Sequence, residues 1–189
     1  GALSDRYGRR PVLLLSTFGL GISYLVTALS YSLWLLLLAR LVSGATSATM
    51  SVANAYVADI TTTEQRAKAF GKVGAAFGIG FIFGPMLGGT LGAVDVRLPF
   101  MVAAVLALIN VLYGYFVLPE SLEPHKRNTL HWKQVNPFGA LVHLSRLKDA
   151  SPLIIVFSCS ALAQFILHTT WVLYTEFRFN WTPQQNGVA

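Results

Sequence analysis

Five long apolar runs constrain the fold of this chain more than any other feature of its sequence. A helix rises about 1.5 Å per residue, so about 20 residues cross the roughly 30 Å of hydrocarbon in a bilayer. The composition agrees, because 54% hydrophobic and 12% charged residues do not suit an average soluble domain. The runs predict an all-α integral membrane protein, with spans at 11–29, 33–57, 73–94, 98–118 and 152–175.

Nearly all of the charged residues lie between these spans. The net charge of +6 comes from 14 Lys and Arg against 8 Asp and Glu, and 11 of the 14 fall in segments 1–10, 59–72 and 119–150. Cytoplasmic loops of membrane proteins carry an excess of Lys and Arg. We therefore expect these three segments to be cytoplasmic loops of a multi-pass protein in the inner (plasma) membrane. The lipid bilayer is its expected partner, and nucleic acid is not.

The first ten residues are a charged block with a glycine near its end, and an apolar run follows directly. Glycine permits backbone conformations that a side chain would forbid, and charged side chains cannot enter hydrocarbon. The block therefore predicts a tight loop on the water side of the membrane. Its charged and glycine residues include Asp5, Arg6, Gly8, Arg9 and Arg10.

This block resembles the loop signature of the major facilitator superfamily, G-x-L-a-D-r-x-G-R-[RK]. The resemblance implies that Asp5, Arg6, Gly8, Arg9 and Arg10 form a cytoplasmic gate. The next cytoplasmic segment, 59–72, combines a loop with the start of a helix, for which Thr63 is a candidate N-cap. Asp59 and Arg66 in this segment resemble the family residues that help to close that side. The alternatives are a simple topology anchor for the block and a solvated polar turn for Asp59 and Arg66.

Arg40 must lie inside the second span, because a span that stopped there would be too short to cross. A charge in hydrocarbon costs roughly 2.5 to 3.5 kcal/mol, so Arg40 should face protein or water. Its helix carries small residues at helical spacing, which lets a neighbouring helix approach closely: Gly44, Ser47, Ser51 and Ala55. Arg40 and Gly44 resemble the fourth-helix motif R-x-x-x-G of the superfamily. We predict a role for Arg40 in proton coupling, and the alternative is that it only ties helices together.

The third span is rich in glycine around one proline. Glycine weakens helices in water, but in a membrane it permits close packing and a bendable backbone. The pattern resembles G-x-x-x-G-P-x-x-G-G, the fifth-helix motif of the superfamily's drug antiporters. The matching residues are Gly80, Gly84, Pro85, Gly88 and Gly89. A generic glycine-rich packing helix is the alternative.

The second half of the chain contains fewer distinctive residues. Segment 119–150 includes Asn136-Pro137-Phe138, which predicts a short amphipathic helix at the membrane surface. Gln164 and His168 lie one turn apart in the fifth span and are candidates for a substrate path, with hydrogen-bonded packing as the alternative. Gly187 is expected near the beginning of a further helix.

No catalytic constellation, cofactor loop or metal site is evident, so we do not expect an enzyme. The signatures, in their order, resemble the tetracycline-resistance group of drug/proton antiporters. The resemblance implies a fragment with about five of twelve helices. Residues 1–118 would belong to the N-terminal bundle (helices 3 to 6), 119–150 to the central loop, and 151–189 to the start of the C-terminal bundle (helix 7 and the beginning of helix 8).

The same resemblance implies alternating access and export of an amphipathic drug in exchange for protons. Two alternatives remain at this point. The first is a proton-coupled uptake carrier for a sugar or metabolite, which would usually lack the glycine-proline helix. The second is a receptor or scaffold of the same fold that does not transport.

Overall fold

The computed structural model describes residues 2–45, 49–122 and 151–188, and these are all-α with no strand among them. Eight helices follow one another in this part of the chain: α1 Ala2–Tyr7, α2 Arg9–Leu29, α3 Leu33–Ala45, α4 Thr49–Ile60, α5 Thr63–Val94, α6 Leu98–Val117, α7 Ser151–Phe179 and α8 Pro183–Val188.

The described residues contain five segments that are long and apolar enough to cross a membrane. This confirms the membrane fold class and the number of spans. α3 and α4 together occupy one of the five, Leu33–Ile60, which therefore includes Arg40 as the length argument required. Each backbone group in a helix bonds within the same segment, which is why hydrocarbon selects this structure.

The prediction of a tight loop over residues 1–10 was wrong. The described part of that block forms α1 and the first turn of α2, and Gly8 alone separates the two helices. Gly8 has φ 104° and ψ 155°, a conformation that residues with a side chain rarely adopt. Its N–H still donates to the Ser4 carbonyl at 3.1 Å, as the last bond of α1. The chain therefore turns at one glycine and not through a loop.

The second predicted cytoplasmic segment, 59–72, is mostly helical, and the helix start predicted within it is present. α4 continues through Ile60 and α5 begins at Thr63, ten residues before the predicted span. Thr62, in extended conformation, occupies the N-cap position in place of the predicted Thr63. The residues that follow are mostly good helix formers, so the helix extends beyond its apolar part.

Two further boundaries differ in the second half. α7 continues to Phe179, where Asn180 adopts φ 53°, a left-handed conformation that asparagine tolerates. Gly187 lies near the end of α8 and not at its beginning. The predicted surface helix around Asn136 lies outside the described residues.

Helix α2 is the centre of the packing in the first half, where it contacts α1, α3, α4 and α6. Small residues make this possible: a Cβ at Gly114 of α6 would lie 2.9 Å from Leu14. Ser23, which is buried on α2, donates to the Ala39 carbonyl of α3 at 2.9 Å. α8 packs against α5. Most large apolar side chains face outward, as on a lipid-facing surface.

Candidate functional site

Arg9, at the first turn of α2, connects two carboxylates from different helices. Its Nη1 pairs with Asp5 Oδ1 of α1 and donates to Ser4 Oγ at 2.7 Å. Its Nε donates to Asp59 Oδ2 of α4 at 3.0 Å. The Arg9 side chain is 12% exposed, but Asp5 and Asp59 are 36% and 27% exposed, so water reaches the carboxylates of this bridge.

Glu120 approaches Arg9 from the segment that follows α6. Its Oε1 accepts from the Arg9 backbone N–H at 2.8 Å and from the Leu122 N–H at 3.1 Å. A carboxylate at this position meets the unpaired N–H groups and the positive dipole end of α2. We name Asp5, Arg9, Asp59 and Glu120 the Arg9 cluster. Sequence reasoning had assigned no role to Glu120, although it follows a span that ends on the same side as Arg9.

Two further contacts connect helices at the same end of the bundle as Arg9. Tyr56 of α4 donates from its hydroxyl to the Pro119 carbonyl at 3.1 Å. Arg10 donates to the Tyr115 carbonyl of α6, and its guanidinium lies 5.4 Å from the centre of the Tyr115 ring. The ends of α2, α4 and α6 are therefore joined by polar contacts on both sides of Arg9.

Only part of the predicted gate set meets in this arrangement. Asp5, Arg9 and Asp59 come together, and Gly8 supplies the turn that aligns α1 with α2. Arg6 lies over the ring of its neighbour Tyr7 at 5.2 Å. Arg66 donates to the Ala58 carbonyl at 3.2 Å, beside the Arg9 cluster but not in it.

Arg40 is exposed, and its guanidinium forms no ion pair with an Asp or Glu of residues 2–45, 49–122 or 151–188. A Cβ at Gly44, one turn further on, would meet no heavy atom within 4 Å. Ser47 lies outside the described residues. The buried face of α3 is instead the one that carries Ala39. Arg40 and Gly44 are both exposed in the described part of the chain.

In the glycine-proline helix α5, one glycine makes a close contact. A Cβ at Gly89 would lie 2.6 Å from the Pro183 carbonyl oxygen and 2.9 Å from Gly187 Cα. A Cβ at Gly187 would in turn collide with the Pro85 carbonyl oxygen. α5 and α8 thus touch backbone to backbone at Gly89 and Gly187, because neither residue has a side chain.

The other motif glycines do not share this contact. A Cβ at Gly80, Gly84 or Gly88 would meet nothing within 4 Å. Sequence reasoning treated the motif glycines alike and did not identify Gly187 as a partner. In the sequence, Gly187 is marked only by its position in a short segment after Pro183.

A cleft of about 530 Å³ lies beside this contact, between α5, α7 and α8. His168 lines it, and Gln164 does not, so the structure separates the two residues predicted for a substrate path. The Gln164 backbone carbonyl is 2.7 Å from His168 Nδ1. The lining residues are Phe81, Ile82, Pro85, Leu167, His168, Trp171, Val172, Asn186, Gly187 and Val188.

Comparison with known proteins adds family information to this geometry. Residues 1–189 match the family described as the Major Facilitator Superfamily. The chain is 41% identical over 189 residues to tetracycline resistance protein, class C, of Escherichia coli, which covers 100% of the chain and 48% of that protein. It is 34% identical over 187 residues to multidrug resistance protein 2 of Bacillus subtilis, which covers 97% of the chain and 46% of that protein.

A solved structure is also similar. The crystal structure of the human organic anion transporter MFSD10 (TETRAN) aligns with a TM-score of 0.75 at 30% identity, over 99% of this chain and 47% of that one. The chain spans about half the length of the curated relatives it matches.

Proposed function

The chain belongs to the major facilitator superfamily, and we propose that the protein containing it exports an amphipathic drug, such as a tetracycline, in exchange for protons. It is a multi-pass protein of the inner membrane. Relatives named for tetracycline resistance and multidrug resistance support a drug as substrate. In this proposal residues 1–118 belong to the N-terminal bundle, 119–150 to the central loop and 151–189 to the C-terminal bundle.

The observation that carries the proposal is the backbone contact between Gly89 and Gly187. In the proposed arrangement this contact joins the two bundles, since α5 belongs to the first and α8 to the second. Alternating access requires one bundle to rock against the other. Two facing glycines suit such a contact, because no interlocked side chains have to separate when the bundles move.

The Arg9 cluster is the proposed cytoplasmic gate at the other end of the molecule. Asp5, Arg9 and Asp59 form its ion pairs, and Gly8 and Arg10 hold the start of α2 in place. We assign Arg6 and Arg66 to the rim, where their charges face the cytoplasm. A charged network of this kind has discrete paired and unpaired arrangements, which is what a two-state gate needs.

Arg40 is the proposed proton-coupling residue. It is a charge within a span, exposed in the described part of the chain and in no ion pair with an acid there. Such a charge requires an acid, a carbonyl or water elsewhere in the intact transporter. An acid that binds either a proton or Arg40 would let the proton gradient bias the two access states.

Transport in inside-out membrane vesicles tests the function. With the vesicle interior acidified, an exporter accumulates labelled tetracycline in the lumen while protons leave, and a pH-sensitive dye reports the proton release. An uptake carrier would not accumulate the drug in this orientation. A receptor or scaffold would produce neither flux, and either of these results would refute the proposal.

A further inference from the structure

We propose that the cleft between α5, α7 and α8 is a subsite for planar aromatic molecules that carry a hydroxyl group, and that His168 Nε2 accepts a hydrogen bond from that hydroxyl. The inference deepens the proposed function, on which it rests for its role in transport. It assigns one specificity-determining residue and a chemical class of ligand.

The tautomer of His168 follows from its backbone contact. Nδ1 lies 2.7 Å from the Gln164 carbonyl oxygen, one helical turn earlier. A carbonyl oxygen only accepts hydrogen bonds, so Nδ1 must carry the hydrogen. In the neutral ring, Nε2 then has a free lone pair and acts as an acceptor. The helix backbone thereby holds the ring in one tautomer.

Aromatic rings from two helices line the cleft together with His168. Phe81 of α5 meets the His168 ring edge to face, with centres 6.0 Å apart and planes at 75°. Trp171 lies three residues after His168, on the same face of α7, and is 41% exposed. Ring faces of this kind prefer offset or edge-on aromatic partners. The walls therefore favour a flat ring system over a flexible chain.

Among the lining side chains, His168 offers an acceptor to the ligand. The Asn186 amide is engaged at both ends, because its Oδ1 accepts from Thr175 Oγ1 at 2.5 Å and its Nδ2 donates to the Thr182 carbonyl at 3.4 Å. Trp171 has only a donor to offer. Apart from His168, no lining residue is titratable or charged. A ligand group that donates a hydrogen bond is thus matched by His168 Nε2.

The position of the cleft suits a substrate in transit. His168 lies eleven residues before the end of α7, and Phe81 thirteen before the end of α5. At about 1.5 Å per residue, both lie about 16 to 20 Å from that end, near the middle of the hydrocarbon layer. A volume of about 530 Å³ also falls within the range of ligand sites.

Two matched probes test the assignment: 2-naphthol, and 2-methoxynaphthalene, in which the hydroxyl hydrogen is replaced by methyl. Binding of each to the purified intact transporter is measured by equilibrium dialysis, with protein-free detergent as the blank. We expect 2-naphthol to bind about threefold to tenfold more tightly, the effect of one hydrogen bond. His168→Phe should abolish this preference yet keep ring binding, and His168→Gln should restore it in part through its amide oxygen.

Two aromatic variants complete the design. Phe81→Leu should weaken both probes by about twofold to tenfold with their ratio unchanged. Phe165→Leu removes an aromatic ring of α7 that does not line the cleft, and should bind both probes as the unmodified protein does. Each variant is first required to elute as a single folded species.

The inference is overturned if His168→Phe keeps the preference for 2-naphthol, or if neither probe binds the unmodified protein. Tetracycline flux of the same unmodified preparation separates this result from the proposed function. If tetracycline is transported but 2-naphthol is not preferred over 2-methoxynaphthalene, the subsite alone is refuted. The preference without flux supports the subsite and refutes the transport function.

Discussion

Replacing Gly89 with alanine adds one methyl group at the closest approach between α5 and α8. The new Cβ would lie 2.6 Å from the Pro183 carbonyl oxygen and 2.9 Å from Gly187 Cα. Both are backbone atoms, so no side-chain rotation can relieve the overlap. Ordinary contact begins at 3.4 Å, and one helix must therefore retreat by about 0.8 Å.

The magnitude follows from the cost of overpacking. Inserting a methyl group into a close contact costs about 1 to 3 kcal/mol. In the proposed transport cycle the cost applies only to the state in which α5 and α8 touch, because the two helices would separate in the other. The ratio of the two states should thus shift by about fivefold to 150-fold. Transport should fall by at least about fivefold if return to the touching state limits the cycle.

Gly88→Ala is the matched control. It makes the same chemical change one residue earlier in α5 and raises intrinsic helix propensity equally. A Cβ there would meet nothing within 4 Å, so transport should stay within about twofold of the unmodified protein. Initial rates of tetracycline accumulation in inside-out vesicles, normalised to the amount of inserted protein, compare the two variants.

Equal rates for Gly89→Ala and Gly88→Ala would refute the reasoning, whether both were normal or both slow. Gly187→Ala offers an independent test, since its Cβ would collide with the Pro85 carbonyl. The Gly89→Ala and Gly187→Ala effects should not add in the double variant, because the first methyl group already separates the helices.

Three further predictions concern the charged residues. Arg9→Lys keeps the charge, but a lysine cannot reach both carboxylates, so this partly exposed bridge should lose up to about 1 kcal/mol of stabilisation. Efflux in vesicles should then fall up to about fivefold. Unchanged efflux would exclude the bridge from the gate. Glu120→Gln should lower the thermal unfolding temperature in detergent, because a charged partner of the α2 N-terminus contributes about 0.3 to 1 kcal/mol. Ser121→Ala, which removes only a 3.4 Å contact, should not lower it, and equal shifts for the two would contradict the Glu120 assignment. Arg40→Ala should retain drug binding but lose drug-induced proton flux in reconstituted vesicles, and normal coupled flux from a well-folded variant would rule out proton coupling by Arg40.

The membrane spans could be predicted from the sequence because hydrocarbon admits few alternatives. A run that must satisfy its own backbone hydrogen bonds becomes a helix, and its length follows from the bilayer. Outside the membrane, water does not limit the length of a helix. α5 therefore begins at Thr63, although hydropathy places its apolar part after Lys72. Helix α1 was not predicted from the sequence, because its polar and charged residues are also typical of a loop.

The functional contacts depend on pairings that the sequence does not contain. Asp5 and Arg9 are four residues apart, a spacing at which helical side chains normally meet. Asp59 is 50 residues from Arg9, and Glu120 is 111. The family resemblance identifies Asp59 as a gate residue without naming Arg9 as its partner, and no local rule selects Glu120 from the eight acids in the chain. Likewise, the motif identifies Gly89 only as one glycine among several, and its contact with Gly187 emerges from packing.

The two ends of the bundle are held by different physics, and this difference bears on the transport cycle. At the Arg9 end, directional hydrogen bonds and ion pairs join charged groups to specific partners. At Gly89 and Gly187 the contact is uncharged and has no directional bond to break, and its energy is distributed over many weak atom contacts. A rocking motion of α8 against α5 would therefore meet little resistance at the glycines, while Asp5, Arg9 and Asp59, which belong to the first bundle in the proposed arrangement, would move with that bundle. In the proposed cycle the glycine contact therefore sets the balance between the two states, and the Arg9 cluster keeps the cytoplasmic ends of α1, α2 and α4 together as the first bundle moves.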